Sequence, residues 1–545
     1  MAQRREPARS KIGITAAILG ALIAGAGTAA SSCSPDGDDC LELAQCEPDS
    51  CDDLTTPELR DEHGARLGCS GGAGGDGGGG EIVVIPGCEG SPLDSPEVVR
   101  DACGLFVRAD AAVGGNGTKS APLSRIGDAL AILGKRLYVC GQTFEEAIVL
   151  PPGVELFGSL DCASDTWAYQ GDQLTRRTVI APTLAGAIPL RVMAGGETAV
   201  YGVSTLAPAG AAAGASSIAA LVGSGARATF VDCDLTAQNG ADGAPGEAPI
   251  GTAAPGLQGN SGNPGCVSSS GVIGGDARTS TCGAESSTGG PGGNGGVAAG
   301  GEGSDGSADP SPSAPRDNGG AGQHNGIACE AGEAGAPGAD GAPGAGAAGV
   351  GAISESGFLG ASGAAGKAAG KPGQGGGGGG GARGATVCLP VTRAGPSGAG
   401  GGTGGCGGAV GGGGGAGGSS IGLMSLSAVV SLENVLLRTA QGGRGGAGND
   451  GQPGGSGGVG GTPAPGSAGA CPGGVGGQGG RGGAGGGGLG GHSLGIAFKG
   501  AAPTEQSVMI QPGVRGEGGP GGNGGPMNLG EPGQGGKSAL RLGFE

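Results

Sequence analysis

Apolar positions between residues 103 and 238 fall in short runs separated by turn residues. Gly104-Leu105-Phe106-Val107 reads as a strand and is followed by the turn-rich Gly114-Gly115-Asn116-Gly117-Thr118. Ser124 then stands as an N-cap, and Ile126, Ala129, Leu130 and Leu133 share one face at helical spacing, which predicts a short helix. Leu137-Tyr138-Val139-Cys140, Ala147-Ile148-Val149-Leu150 and Val154-Glu155-Leu156-Phe157 predict three more strands, with turns at Gly141 and at Pro151-Pro152-Gly153.

A second pattern is a repeat. SIAALVGSGARATFVDCDLTAQ (217–238) and SIGLMSLSAVVSLENVLLRTAQ (420–441) have equal length and lie 203 positions apart. A looser copy spans Ser493 to Ile510, and an earlier one runs from Ile188 to Thr205. Phe230, Cys233 and Leu235 in one copy, and Leu432, Val435 and Leu437 in the other, are expected to point inward, in a register one residue off that of the matching ends. Asp232 and Asn434 are expected at the bend between strands, where a short polar side chain can bond the backbone. Units of this kind have exposed edges and need neighbours, so the copies are expected to stack. The segments between them, 239–418, 442–491 and 515–537, then become insertions leaving at one corner.

Those segments change the picture of the whole chain. Of 143 glycines in 545 residues, 108 lie after residue 239, against 35 prolines and only 11 aromatic side chains overall. So little apolar bulk cannot offset the entropy of ordering this backbone as one large globular enzyme core. A collagen repeat, with glycine at every third position only, is not kept: the frame of Gly332, Gly335, Gly338, Gly341 and Gly344 is broken by Gly346. Two states remain open for the tracts: disordered loops, or extended polyproline-II strands packed closely enough for interchain hydrogen bonds. Disulfides among Cys266, Cys282, Cys329, Cys388, Cys406 and Cys471 would favour packing.

Residues 117–130 (GTKSAPLSRIGDAL), followed by Leu-Tyr-Val-Cys and then by Pro-Gly-Val-Glu-Leu-Phe-Gly, resemble the opening of right-handed parallel β-helix domains of the pectin-lyase-like superfamily. The resemblance covers roughly residues 103 to 240. It implies an all-β solenoid with a short amphipathic helix capping its open end. Cys140 and Cys162, 22 residues apart, are about one coil apart and are candidates to pair across neighbouring coils. The tracts, with stretches such as 442–448 and 475–490, are similar in composition to the glycine-rich region of PE-PGRS-type surface proteins, although the amino-terminal PE module has no counterpart here.

Charge and the amino terminus indicate a compartment. Twenty-nine basic against 47 acidic residues give −18, which disfavours nucleic acid as a partner. Arg4, Arg5, Arg9 and Lys11 precede an apolar stretch from Ile12 to Ala30, the layout of an export signal. Ala30-Ser31-Ser32-Cys33 resembles a bacterial lipobox and makes Cys33 a lipidation candidate; plain cleavage near Ala29 or Ala30 and an uncleaved anchor are the alternatives. Sixteen cysteines in an exported chain read as disulfides. Lipid on Cys33 would leave an odd number of thiols. The expected organisation is a signal (1–32), a Cys-rich acidic stalk (33–102), a β-helix with capping helix (103–238), glycine-rich insertions (239–418, 442–491, 515–537), single coils (419–441, 492–514) and a terminal strand (538–545).

Chemical motifs thin out under inspection. His63, His324 and His492 lie far apart without ligand spacing, and each reads as a loop residue. Asp36, Asp38 and Asp39 lack a calcium-loop frame, and Gly71–Asp76 and Gly445–Asp450 are isolated half-repeats of a calcium roll without tandem copies, so no cofactor or metal is expected. Gly536-Lys537-Ser538 lacks the upstream glycine of a phosphate loop. Arg444 and Arg481, each before two glycines, read as solvated loop arginines. The superfamily resemblance implies carbohydrate-active chemistry, for which Asp232 and Asp234 would be the acids, but Arg191 and Arg227 nearby form no recognisable set with them. The leading expectation is a non-enzymatic exported cell-envelope or extracellular protein displaying glycine-rich loops for cell-surface, matrix or polysaccharide contact. A β-helix polysaccharide lyase or hydrolase and a largely disordered matrix protein are the alternatives.

Overall fold

The computed structural model describes residues 87–132, 136–170 and 177–545. The export signal, Cys33, His63 and the aspartates and half-repeat before residue 77 lie outside these residues.

The described chain is mostly β, with almost no helix. Strand β1 (Gly104–Val107) and the short helix α1 (Ile126–Leu130) precede β2 (Arg136–Cys140), β3 (Thr143–Phe144) and β4 (Ile148–Leu150). β5 (Glu155–Leu160), β6 (Thr178–Ile180) and β7 (Leu190–Val192) follow, then β8 (Glu197–Tyr201), β9 (Val203–Leu206) and β10 (Ser217–Val222). β11 (Arg227–Val231) and β12 (Asp234–Thr236) lead into the first tract, which carries β13 (Arg278–Cys282), β14 (Glu285–Gly289), β15 (Ser307–Asp309), β16 (Ala352–Ser354), β17 (Gly357–Leu359) and the helical turn α2 (Gly384–Val387). After it come β18 (Ser420–Leu426), β19 (Val429–Glu433), β20 (Leu436–Arg438), β21 (Ser493–Lys499), β22 (Thr504–Gln506), β23 (Met509–Gln511) and β24 (Ser538–Phe544).

The chain visits three parallel sheets in rotation. The first sheet has the order β1-β2-β5-β8-β11-β19-β22, the second β23-β20-β12-β9-β6-β3, and the third β24-β21-β18-β10-β7-β4. A core of Val107, Ile126, Leu137, Phe144, Leu156, Ile180, Leu190, Val200, Phe230, Cys233, Leu235, Leu423, Leu432, Val435 and Leu437 is shared by strands of all three. Cys233 is a free thiol in this core, and burial pushes it up to about 12. Every residue of β10 and β18 is buried, because the β16–β17 hairpin places Ile353 and Phe358 against Ile218, Ile421 and Met424. A strand covered on both faces carries an apolar run without alternation.

Two of the three junctions between sheets are built from left-handed residues. Gly202, Asp232, Asn434 and Ser507, with φ between 50° and 62°, turn the first sheet into the second, and Ser159 takes the same conformation within β5. Asn434 Nδ2 donates to Asp232 Oδ1 at 2.5 Å, and Ser159 Oγ donates to the Gly202 carbonyl. Asn and Asp tolerate this region because their short side chains bond locally. Gly153, Gly195, Gly225, Ser427 and Gly500 do the same between the third sheet and the first.

All three glycine-rich tracts lie at the remaining junction, between a second-sheet strand and the next third-sheet strand. Serines mark the return. Ser217, Ser420, Ser493 and Ser538 are in register at the starts of β10, β18, β21 and β24. Ser217 Oγ accepts from the Gln238 amide and Ser420 Oγ from the Ala440 amide, while Ser493 and Ser538 donate to the carbonyls of Ala440 and Gly513. Each serine thus ties a departing tract to the sheets, whatever length of chain lies between.

At the other end, α1 does not take its cap from Ser124. The Glu146 carboxylate accepts from the amides of Ile126 (2.7 Å) and Gly127 (3.0 Å), satisfying two donors that a helix start leaves open. Residues just before β1 also pack on the sheets. Cys88 is bonded to Cys103, and Val99 and Cys103 join Phe106, Tyr138, Phe157 and Trp167 in a separate cluster.

Candidate display surface

The tracts are tied together by backbone hydrogen bonds that recur at every third residue. In the stretch 375–381, Gly375, Gly378 and Gly381 donate to the carbonyls of Ser307, Ser304 and Gly301. Gly376 and Gly379 donate to Gly402 and Ala399, and Gly377 and Gly380 to Glu333 and Glu330. Each phase of the triplet therefore faces a different neighbour. Glycine fills all three phases because a Cβ at any of these positions would meet a neighbouring carbonyl oxygen inside van der Waals contact.

Segments with fewer neighbours carry fewer glycines. Gly335, Gly338, Gly341 and Gly344 donate to Val475, Gln478, Arg481 and Ala484, while Pro337, Ala339 and Asp340 between them are exposed. Gly346 does not interrupt this pairing, which continues from Ala347 to Gly487; it is glycine because its own position faces the Pro532 carbonyl. The segment 472–491 also bonds to three neighbours. It donates through Gly474, Gly477 and Gly480 to Gly377, Gln374 and Lys371, and through Gly473, Gly476 and Gly479 to Gly461, Gly458 and Gly455. It accepts from Gly402, Gly405 and Gly408 as well.

Three disulfides cross-link these segments: Cys266–Cys388, Cys282–Cys406 and Cys329–Cys471, with sequence separations of 122, 124 and 142. Cys140 is bonded to Cys162, with Cα atoms 5.7 Å apart. Five disulfides fit an oxidising, extracellular environment.

The polar candidates are engaged in structural contacts. Asp232 receives Asn434 and, at 3.3 Å, the Tyr169 hydroxyl. Asp234 is held by Arg438 Nη1 at 3.0 and 2.9 Å. Arg191 donates to the Glu355 carbonyl, away from both acids. Arg444 lies 3.9 Å from Glu517 on the surface, and the Arg481 amide donates to Asp340. Asp450 accepts from the Asn523 amide. Among the described residues no group of three or more His, Cys, Asp or Glu stands ready to hold a metal ion. No helix among them is long and apolar enough to cross a membrane.

His492 departs from the expected loop residue. It is fully buried where the second tract meets β21, in ring contact with Phe358 and Phe544. Its Nε2 donates to the Val350 carbonyl and its Nδ1 accepts from the Lys537 amide, both at 2.8 Å, which specifies the neutral tautomer. That amide belongs to the Gly536-Lys537-Ser538 triplet, which serves as the lead into β24. Burial holds the imidazole below its ordinary range, and the Lys537 charge adds to this. The unfolded chain therefore takes up this proton first as pH falls through about 6.5, and stability drops over that interval. The unfolding midpoint of the wild type should fall more steeply between pH 7.5 and pH 5 than that of His492→Gln; equal slopes would contradict this account.

Sequence reasoning missed the bundle pairing and the closing serines. The serine signal is visible in retrospect as Ser before an apolar residue at the end of each tract. Scans against family models, curated proteins and solved structures find no match to this chain.

Proposed function

We propose that this chain is a non-enzymatic, exported structural or adhesive protein of the cell envelope or extracellular matrix. In this reading a parallel β-helix is the scaffold and the glycine-rich tracts form a rigid bundle of polyproline-II strands projecting from one of its corners. The observation that carries the proposal is the three-phase bonding of the tracts, cross-linked by three disulfides. A period of three without a strand ladder is what a helix of three residues per turn requires. It favours an ordered platform over disordered loops. The carbohydrate-active alternative is disfavoured because Asp232 and Asp234 are both committed to structural partners.

Intact producing cells treated with a membrane-impermeant amine reagent should carry label on this protein, and the purified chain should leave acidic polysaccharide at its original length. Absence of label refutes surface display. Depolymerisation that disappears on Asp232→Ala with Asp234→Ala refutes the non-enzymatic reading.

A further inference from the structure

The bundle has a distal end, where its segments reverse direction away from the strands they join. Five stretches meet there: 263–275, 296–299, 323–329, 383–394 and 462–471. The Cys266 amide donates to Ala394, Ala394 to Ser268, Ala385 to Val297, and Arg383 to Gln323 Oε1. Cys266–Cys388 and Cys329–Cys471 fasten the same loops. Here the triplet pattern stops and varied side chains replace glycine.

This end is poor in acidic residues. The five stretches contain Arg383, Arg393 and His324, and their acidic neighbours are Asp276 and Glu330 at the edges of two of them, in a chain whose net charge is −18. Arg393 is exposed and spends one nitrogen on the Val267 carbonyl; Arg383 contacts Asn325 through Nη1, and its Nε is buried with no partner. Neither guanidinium is paired with a carboxylate, unlike Arg438 with Asp234 or Arg541 with Glu505. Beside them lies an open cavity of about 350 Å³ with Ser270, Ile273, Asn294, Gly296 and Ala299 in its wall. Gly296 pairs directly with Arg383. That volume is within the range of small-molecule sites, and its wall offers mainly amide and hydroxyl groups.

We propose that the distal loops bind a carboxylated polysaccharide, with Arg383 and Arg393 contacting its carboxylates and the adjoining cavity seating a sugar ring. A guanidinium fork matches a carboxylate better than an ammonium does; Arg393 has one nitrogen engaged and offers the fork, and Arg383 adds a single donor. A net charge of −18 repels a polyanion overall, which favours contact where acidic residues are sparse. The inference rests on the display reading above and names what the display serves.

Affinity electrophoresis of the full-length protein through gels containing polygalacturonate or dextran tests it. Polygalacturonate should retard the wild type, with weakening as salt is raised, and dextran should not. Arg383→Gln with Arg393→Gln should weaken retardation at least five-fold while keeping the wild-type circular dichroism spectrum. Arg227→Gln with Arg515→Gln, outside these loops, should leave it unchanged. No retardation of the wild type, equal retardation of the distal variant, or equal loss in the control pair overturns the site. Surface labelling of intact cells is unaffected by any of these outcomes, so failure of the site and failure of the display reading are told apart.

Discussion

Gly482→Ala should lower the stability of the purified chain by about 3 kcal/mol or more, the upper part of the range for forcing atoms into a packed interior. A Cβ at this position would collide with the Ala409 carbonyl oxygen, which is backbone and cannot rotate away. The Gly482 amide also donates to the Gln452 carbonyl, so the two strands flanking it cannot both retreat without losing hydrogen bonds. Gly535→Ala is the matched control: its Cβ would stand 3.5 Å from the nearest atom, the Gly516 carbonyl oxygen, an ordinary contact. Denaturant midpoints for both variants decide the matter. Similar midpoints would mean that the tracts are not packed as described.

The second large effect concerns the cross-links. Cys282→Ala with Cys406→Ala removes a closure of 124 residues, and restricting an unfolded loop of that length is worth about 4–5 kcal/mol. The loss should appear in the tracts rather than in the parallel sheets, whose core of Phe230, Leu235, Leu432 and Leu437 contains no disulfide. Limited proteolysis under reducing conditions should therefore cut within 239–418 and 442–491 first, and leave strands 217–236 and 420–438 protected. The oxidised wild type should resist at all these positions. Cleavage of the sheets before the tracts would refute the assignment of the cross-links to the bundle.

Much of the sheet arrangement was legible in the chain. Short apolar runs marked β1, β2, β4 and β5, and the inward positions Phe230, Cys233, Leu235, Leu432, Val435 and Leu437 are all buried. Their register differs by one residue from that of the matching serines because four residues separate Val222 from Arg227 and only three separate Ser425 from Val429. β3 was invisible, since Thr143–Phe144 is too short to show a period. The cap on α1 was assigned to Ser124 by local rules, but it comes from Glu146, twenty residues on. The state of the tracts was not legible at all. Their bonds join positions as distant as Gly341 and Arg481, and a triplet pattern is the same whether or not a neighbour faces it. The distal loops gave a compositional signal, a gap in the acidic residues, that has meaning only once five separate stretches are brought together.

The threefold recurrence of the tract bonds carries a consequence for how such a gene can change. One added triplet, nine nucleotides, shifts a strand along its neighbours by a full turn, and each glycine meets a site chemically like the one it left. One added residue instead rotates all that follows by a third of a turn and turns side chains toward backbones. The stretch 361–371, the more exposed part of its strand, absorbs such a slip, since Lys367 and Lys371, four apart, donate to Ala342 and Ala339, three apart. The segment 472–491 contains none. Replication slippage in nine-nucleotide steps can therefore lengthen or shorten the projecting bundle while the serine-closed junctions, and the sheets behind them, inherit no change.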